Sequence, residues 1–366
     1  MGPLLAEFRR TPLLWLIVFV PVVLGGERVA PHAHTWLFVL SVLAIVPLAA
    51  LLSHATESVA AKTGDAVGGL LNATLGNLTE LVIALAALRA GQYTLVKASI
   101  AGAIVANTLF MLGVSFLLGG LRHHVQEFNR LNARLQAGML FLATVALLVP
   151  SAVGDGSVPS SPTPVLQDLS LGLSVLLIVA YALGLLFTLR THREIFGSVA
   201  HGEAADEAPW PLGLALPTLA GVTLFVALVS EVFVASVQGA ALTLGMTPAF
   251  VGFIVVALVG AAAEMASAFS GARKNRLDLS VGIALGSAAQ IALFVAPVLV
   301  ALSYVIGPAP MTLEFWPGAV VMMLIATVTA ALVTNSGRSA WFVGVLVVMV
   351  YLVFALTLYL LPPRTP

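Results

Sequence analysis

Apolar residues run through this 366-residue chain in long blocks, with polar positions gathered into short intervals between them. A helix needs about 20 apolar residues to cross a bilayer. On that scale the pattern predicts eleven helices, at roughly 12–26, 35–61, 66–90, 95–119, 134–150, 166–189, 211–237, 247–271, 278–303, 313–334 and 339–361. Periodicity adds nothing to the boundaries, because spanning helices are apolar nearly all round; charges and Gly/Pro breaks set them instead. The alternating ten-residue units of a membrane β-barrel are missing. The expected fold is an all-α integral membrane protein. Its first helix follows Arg9 and Arg10 and runs into small residues near 29–33, the layout of a signal peptide; we read it as an uncleaved helix.

Two blocks carry the same interruption. Residues 68–91 (GGLLNATLGNLTELVIALAALRAG) have Glu80 near the middle and Gly76 four residues before it. Residues 251–274 (VGFIVVALVGAAAEMASAFSGARK) have Glu264 and Gly260 in the same relation. The offset is 184 residues for the acids (264 − 80) and for the glycines (260 − 76), and Gly102 and Gly286 on the following helices keep it. The chain thus reads as two five-helix repeats, 35–190 and 211–361, behind an extra N-terminal helix in 1–34. An acidic linker at 191–210, with Glu203, Asp206 and Glu207, joins them. It reads first as solvated chain and second as a cytoplasmic cation-attracting or regulatory patch. The Ser/Pro-rich 151–164 reads as an exposed outer loop.

Positive charge orients such a chain. With the N-terminus in the cytoplasm, Arg9, Arg10, Lys62, Arg122, Arg130, Arg134, Arg190, Arg193, Arg273, Lys274, Arg276 and Arg338 fall inside. Arg28, Arg89, Lys97 and Arg364 fall outside, twelve against four, which puts the C-terminus outside. The Glu80 helix then runs outward and the Glu264 helix inward, so the repeats have opposite topology. In such inverted repeats, exchanging the conformations of the two halves gives alternating access.

Composition narrows the function. Hydrophobic residues make up 60% of the chain and charged ones 9%, with mean hydropathy +1.07, against about 25% charged in soluble domains. The bilayer is therefore its surroundings. Net charge is zero without a polybasic run, which gives no reason to expect nucleic acid as a partner. Cysteine is absent, excluding disulfides, thiolate metal sites and cysteine catalysis. There is no HExxH, no GxxxxGK[ST] and no GxSxG, and no loop is long enough for an ATP-driven domain. Neither an enzyme nor a primary pump is expected, and no cofactor.

An ionisable group at bilayer depth costs about 2.5 kcal/mol or more, so it marks function by default. Glu57, Glu80, Glu231 and Glu264 fall within the predicted helices. Glu80 and Glu264 lie nearest mid-bilayer, among small residues that let helices approach closely. Gly76 and Gly260 can free backbone carbonyls, and Asn77 shares a face with Glu80. Asn107, Ser287 and Gln290 on the following helices add neutral oxygens. Two carboxylates with amide, hydroxyl and carbonyl oxygens, and no sulfur or histidine beside them, suit a hard cation; Ca²⁺ takes about 6–8 oxygens. Two negative charges neutralise one divalent ion, and the same oxygens take protons. Proton–metal competition at Glu80 and Glu264 is the simplest chemistry of an antiporter. The plain alternative is a pair of protonated structural acids hydrogen-bonded between helices. Glu57 and Glu231 do not align in the repeat and read equally as structural or gating groups. His54 reads as an interhelical hydrogen bond or as a proton relay, and His123 and His124 as solvated surface.

The stretch GGLLNATLGNLTELVIALAAL resembles the first signature repeat of the calcium/proton exchangers, a branch of the calcium/cation antiporter superfamily. LDLSVGIALGSAAQIALFVAPVLV resembles the sequence after their second repeat. The likeness runs from about residue 35 to 335. It implies exchange of a divalent cation, usually calcium, for protons. It matches Glu80 and Glu264 to the family's acidic ligands, Gly76 and Asn77 to its first motif, Asn107 to the asparagine of the next helix, and Ser287 and Gln290 to its GS–Q motif. The departures concentrate in the second half. Members usually read GNAAEH where this chain has Gly260-Ala261-Ala262-Ala263-Glu264-Met265. Gln238 and Leu242 stand where acids are common, and Ala103 and Ala106 where serines are common.

The leading expectation is an antiporter that exports Ca²⁺, or a similar divalent cation, from the cytoplasm in exchange for protons. Short termini and compact loops point to a bacterial cytoplasmic membrane. Exchange of manganese or sodium is a second reading, because Ala261 and Met265 remove polar ligands. A passive cation channel and a membrane enzyme or scaffold without transport are the others.

Overall fold

The structure is a computed structural model that describes residues 7–8, 11–153, 163–192 and 209–360. The acidic residues of the linker and most of the 151–164 loop lie outside the described residues, as do Arg9, Arg10, Arg193 and Arg364. The helices are α1 (Pro12–Val29), α2 (His34–Lys62), α3 (Asp65–Leu75), α4 (Leu78–Arg89), α5 (Tyr93–His123), α6 (Arg130–Val153) and α7 (Pro164–Thr191). The second half contains α8 (Leu212–Thr243), α9 (Pro248–Gly260), α10 (Ala262–Arg273), α11 (Leu277–Ile306), α12 (Pro317–Thr334) and α13 (Trp341–Leu360).

Nine helices among the described residues are long and apolar enough to cross a membrane. Eleven spans result if each bent pair, α3–α4 at 41° and α9–α10 at 59°, crosses as one. These pairs are the predicted blocks 66–90 and 247–271. Large apolar side chains stand exposed along the outer helices, among them Trp15, Val175, Leu224 and Leu356. A soluble protein does not display contiguous apolar surface of this kind. The chain is an integral membrane protein.

Local chemistry sets the helix starts. Pro164, Pro248 and Pro317 each stand in the first turn of their helix, where a missing N–H costs nothing. Thr163 and Thr247 cap α7 and α9, accepting from Leu166 N–H at 3.4 Å and Phe250 N–H at 3.1 Å. One pair of strands departs from the all-helical expectation: β1 (Val125–Glu127) pairs antiparallel with β2 (Arg338–Ala340), Val125 opposite Ala340. It joins the α5–α6 loop to the start of α13 on the side that the charge count assigns to the cytoplasm.

The repeat offset reappears in the backbone. A π-helical turn interrupts α5 at Ala106–Met111 and α11 at Ile291–Val295, and the two breaks, at Gly76–Asn77 and at Ala261, fall 184 residues apart as well (261 − 77). These two long helices run through the middle of the bundle. Where α5 packs on α13, glycines set the spacing: a methyl group on Gly113 would lie 2.9 Å from Val348 Cγ2, and one on Gly344 would overlap Leu117 N. Across the bundle α2 packs along α8, with Phe38 stacked on Phe233 at 5.3 Å.

Residues 307–316 were expected to enter a helix at 313. They form instead a strap, buried over residues 311–315, because Pro317 starts α12. Its amides are taken by hydroxyls of three helices: Met311 N–H donates to Ser303 Oγ (2.7 Å), Leu313 N–H to Ser170 Oγ (3.0 Å) and Phe315 N–H to Ser151 Oγ (2.9 Å). Lys97, counted above as an outside charge, is buried under this strap. Its Nζ donates to Thr312 Oγ1 at 3.2 Å within electrostatic reach of the buried Glu314 carboxylate.

Candidate cation site

The residues singled out by the repeat make both helix breaks. In the first, the last ladder bond of α3 runs from Gly76 N–H to the Asn72 carbonyl (2.8 Å), and the next runs from Leu81 N–H to the Asn77 carbonyl (3.0 Å). Asn77 stands between at φ −98°, ψ 31°. In the second break Ala261 alone forms the turn, at φ −81°, ψ 8°, and its N–H still reaches the Ala257 carbonyl at 3.2 Å. The first break is the wider. Glu80 and Glu264 each fall in the first turn of the helix that follows, where the helix dipole favours a carboxylate.

A chain of hydrogen bonds joins the first break to α5 and α11. Asn107 Nδ2 donates to Ser287 Oγ (2.8 Å), Ser287 Oγ to Asn77 Oδ1 (2.8 Å), and Asn77 Nδ2 to Gln290 Oε1 (2.5 Å). All four neutral side chains proposed from the sequence thus meet in one network that bridges the two halves. Glu80 Oε1 and Asn107 Oδ1 are sealed from solvent with no hydrogen-bond partner among the described residues. A buried polar atom left so costs about 1–3 kcal/mol, and an acceptor oxygen can recover that only from a donor or a cation. Gly260 makes room for the first acid: a Cβ there would stand 2.9 Å from Glu80 Cγ and 3.3 Å from Cδ.

A cavity of about 520 Å³ reaches this network. Gly76, Glu264, Ser287 and Gln290 form its inner wall, and His54, Glu57 and Lys274 line it toward the end where α2 and α10 stop and α3 and α11 start. Glu80 is not on the wall; it lies against Gly260. The other end of the site is packed shut. A Cβ on Gly252 would come within 2.7 Å of Ala98 Cβ and 3.0 Å of the Leu95 carbonyl, and one on Gly102 would overlap the Phe253 backbone. The positions 184 residues from Leu95, Ala98 and Gly102 are Leu279, Gly282 and Gly286 (279 − 95, 282 − 98, 286 − 102), and all three line the cavity. Contacts that close one end are open at the other.

The remaining candidates divide. Glu57, on the cavity wall, accepts from Ser53 Oγ at 2.9 Å, and the His54 ring packs on Trp210 at 4.4 Å. Glu231 is not brought to the site: it is exposed and pairs with Arg89 at 3.3 Å. Gln238 and Leu242 are also exposed, away from the cavity. His124 is exposed as expected, but His123 is half-buried and its Nε2 bonds the Arg273 carbonyl at 3.0 Å, at the end of α10. Among the described residues no cluster of three or more His, Asp or Glu gathers. Sequence reasoning missed Lys97, Glu314 and Tyr181. Glu314 carried a usable signal, an acid just ahead of a proline in an apolar block.

The whole length of the chain is similar to known proteins. The family model described as sodium/calcium exchanger protein matches residues 33–190 and 214–360. A Ca²⁺/H⁺ antiporter of Aphanothece halophytica is 38% identical over 371 residues, covering 97% of this chain and 98% of that one. A Ca²⁺/H⁺ antiporter of Synechocystis sp. is 40% identical over 364 residues, covering 95% and 97%. The solved structure of native YfkE superposes with a TM-score of 0.82 at 34% identity, covering 95% of this chain and all of that one.

Proposed function

This chain belongs to the sodium/calcium exchanger protein family, and from that membership and its site we propose that it is a secondary active antiporter exchanging Ca²⁺, or a similar divalent cation, for protons. One observation carries the reading: two repeat-related glutamates at two helix breaks beside a neutral oxygen network, with Glu80 Oε1 and the network's Asn107 Oδ1 lacking a donor among the described residues. The relatives at 38% and 40% identity, both Ca²⁺/H⁺ antiporters, supply the ion pair.

The chemistry follows from charge. A cation entering the cavity meets Glu264, Gln290 and Ser287 first. Asn77, Asn107 and the carbonyls freed at the Gly76 and Gly260 breaks complete an oxygen shell with Glu80. Amide and hydroxyl oxygens have second lone pairs to offer while keeping their hydrogen bonds. Two ionised carboxylates without a cation would be costly at low dielectric. The site therefore changes sides either holding a divalent ion or holding protons, and that restriction couples the two flows.

The repeat supplies the movement. When the halves exchange conformations, Leu279, Gly282 and Gly286 take up on Gly68 and Gly69 the close packing that Leu95, Ala98 and Gly102 make on Gly252 and Phe253. The cavity closes at the Lys274 end and opens at the Tyr93 end. Charge asymmetry puts the Lys274 end in the cytoplasm, with the N-terminus inside, the C-terminus outside and the repeats inverted. The bacterial relatives suit a bacterial cytoplasmic membrane. Glu57 and His54 flank the inner mouth as gating groups.

The test is reconstitution into liposomes with an imposed pH gradient, following calcium with manganese and sodium as competitors. Glu80→Gln and Glu264→Gln should each abolish gradient-driven calcium flux while the protein still inserts. Normal exchange in both variants would overturn the site. Proton flux evoked by another ion alone would transfer the reading to that ion, as the loss of polar groups at Ala261 and Met265 allows. Calcium flux that persists after the proton gradient is collapsed, with equal calcium on both sides, would indicate a channel.

A further inference from the structure

We infer that Tyr181, on a helix that carries none of the proposed ligands, is the residue that holds the first helix break open for the cation. The inference rests on the cation reading of the site. Between the Gly76–Asn72 bond and the Leu81–Asn77 bond, the backbone carbonyls of residues 73–76 fall outside the helical ladder. In a continuous helix the Ala73 carbonyl would take the N–H of Asn77, four residues on. Here it takes the Tyr181 hydroxyl instead, at 2.5 Å. The second break has no such substitution: the matching carbonyl, Ala257, keeps the N–H of Ala261.

That difference explains why the first break is a residue wider, and it bears on the ligands. With its N–H released from Ala73, Asn77 turns its amide across to α11, where it holds Ser287 Oγ and Gln290 Oε1. Tyr181 acts on α11 as well. Its ring stacks on Phe294, at 5.4 Å and 28° between planes, and Phe294 belongs to the π turn that begins one residue after Gln290. One buried side chain therefore braces both elements that present the neutral oxygens. Tyr181 itself lies off the cavity wall; it is a positioning residue and no ligand. Were its hydroxyl removed, the Ala73 carbonyl would be a part-buried acceptor that has lost its donor. The donor a continuous helix would supply is the Asn77 N–H, and taking it would straighten the break and draw the Asn77 amide off Ser287 and Gln290.

Tyr181→Phe isolates the hydroxyl, because the ring and its stack on Phe294 are kept. Two measurements apply to full-length protein: half-saturating Ca²⁺ and maximal rate in liposomes, and backbone hydrogen exchange of the 73–79 segment in cation-free detergent. Tyr181→Phe should raise half-saturating Ca²⁺ about three- to tenfold, the worth of one buried hydrogen bond, with little change in maximal rate. The Asn77 amide should become more protected than in the wild type. Unchanged protection at Asn77, or a fall in maximal rate at unchanged half-saturation, would overturn the inference. If the wild type moved no calcium at all, the cation reading would fail separately, and Asn77 protection would still decide whether Tyr181 holds the break open.

Discussion

If the two halves exchange conformations, substitutions at Gly102 and Gly286 must shift the equilibrium in opposite directions. In the conformation described, a methyl group on Gly102 overlaps the Phe253 carbonyl and Cα, both backbone atoms of a packed helix. Neither can rotate away, so α5 and α9 must separate. Overpacking of this kind costs about 1–3 kcal/mol. Gly286 is in the opposite situation: its nearest neighbours are Gln136 side-chain atoms at 3.6 Å and beyond, ordinary contact distance. After the exchange the roles reverse, with Gly286 against Gly69 and Gly102 relieved. Gly102→Ala should therefore favour the cytoplasmically closed form, and Gly286→Ala the open one, each by roughly 5- to 150-fold. The chain has no cysteine, so Ser267→Cys places a single thiol on the cavity wall. A membrane-impermeant thiol reagent applied from the cytoplasmic face then reports the open population. Modification should be slowed by Gly102→Ala and unchanged or faster with Gly286→Ala, and both should slow steady-state exchange, since each traps one form. Unchanged labelling in Gly102→Ala, or slowed labelling in Gly286→Ala, would refute the symmetry argument.

Two further outcomes concern stability. Lys97→Met leaves the Glu314 carboxylate buried beside Thr312 without its cation, a loss of about 3–5 kcal/mol. The thermal unfolding midpoint should fall, and adding Glu314→Gln should recover most of the drop; an unchanged midpoint in the single variant would show that the pair does not hold the strap. By the repeat relation to Asn77, Ser287 and Gln290, Ala261→Asn should direct an amide toward the buried Ala103 and Ala106, at about 1–3 kcal/mol for each group left without a partner. The triple change with Ala103→Ser and Ala106→Gln should restore stability, and a triple variant no better than the single one would show that these positions do not face one another.

The spans were legible because length and apolarity decide them, and the breaks because a glycine and an acid recur at one offset. The ends were less so. The eighth helix runs to Thr243, past the expected 237, because Gly239 does not end it; a Cβ there would fall 2.6 Å from the His34 ring, so the glycine admits a neighbouring helix. The neutral ligand candidates were found one by one, but not their order. Asn77 and Ser287 are 210 residues apart, and only the crossing of α3–α4 with α11 decides that the amide bridges Ser287 and Gln290. Tyr181 gave no sign, since a tyrosine in an apolar helix looks the same whether it faces lipid or a broken backbone. Lys97 looked like a loop charge because the strap that buries it is itself a tertiary feature.

The sequence departures become a single event when placed on this geometry. Asn77 reaches Ser287 and Gln290 across the first break. The positions related to these three by the repeat are Ala261, Ala103 and Ala106, and all three are buried alanines. An amide at 261 without a donor at 103 and an acceptor at 106 would be a buried cost, and a serine or glutamine there without the amide would be another. Losing the set together avoids both costs and leaves α5 and α9 in close contact through Gly102 and Phe253. The two halves therefore divide the work. The first break, braced by Tyr181, presents the neutral oxygens; the second contributes Glu264 on a tighter turn that needs no brace. On the antiporter reading the site is asymmetric about its two breaks: Asn77, Asn107 and Glu80 from the first half meet Ser287 and Gln290 from the second at the first break, while the second break adds Glu264 alone. If the proposed site holds the cation, selectivity should respond to Asn77, Ser287 and Gln290, and proton coupling should respond to Glu80 and Glu264.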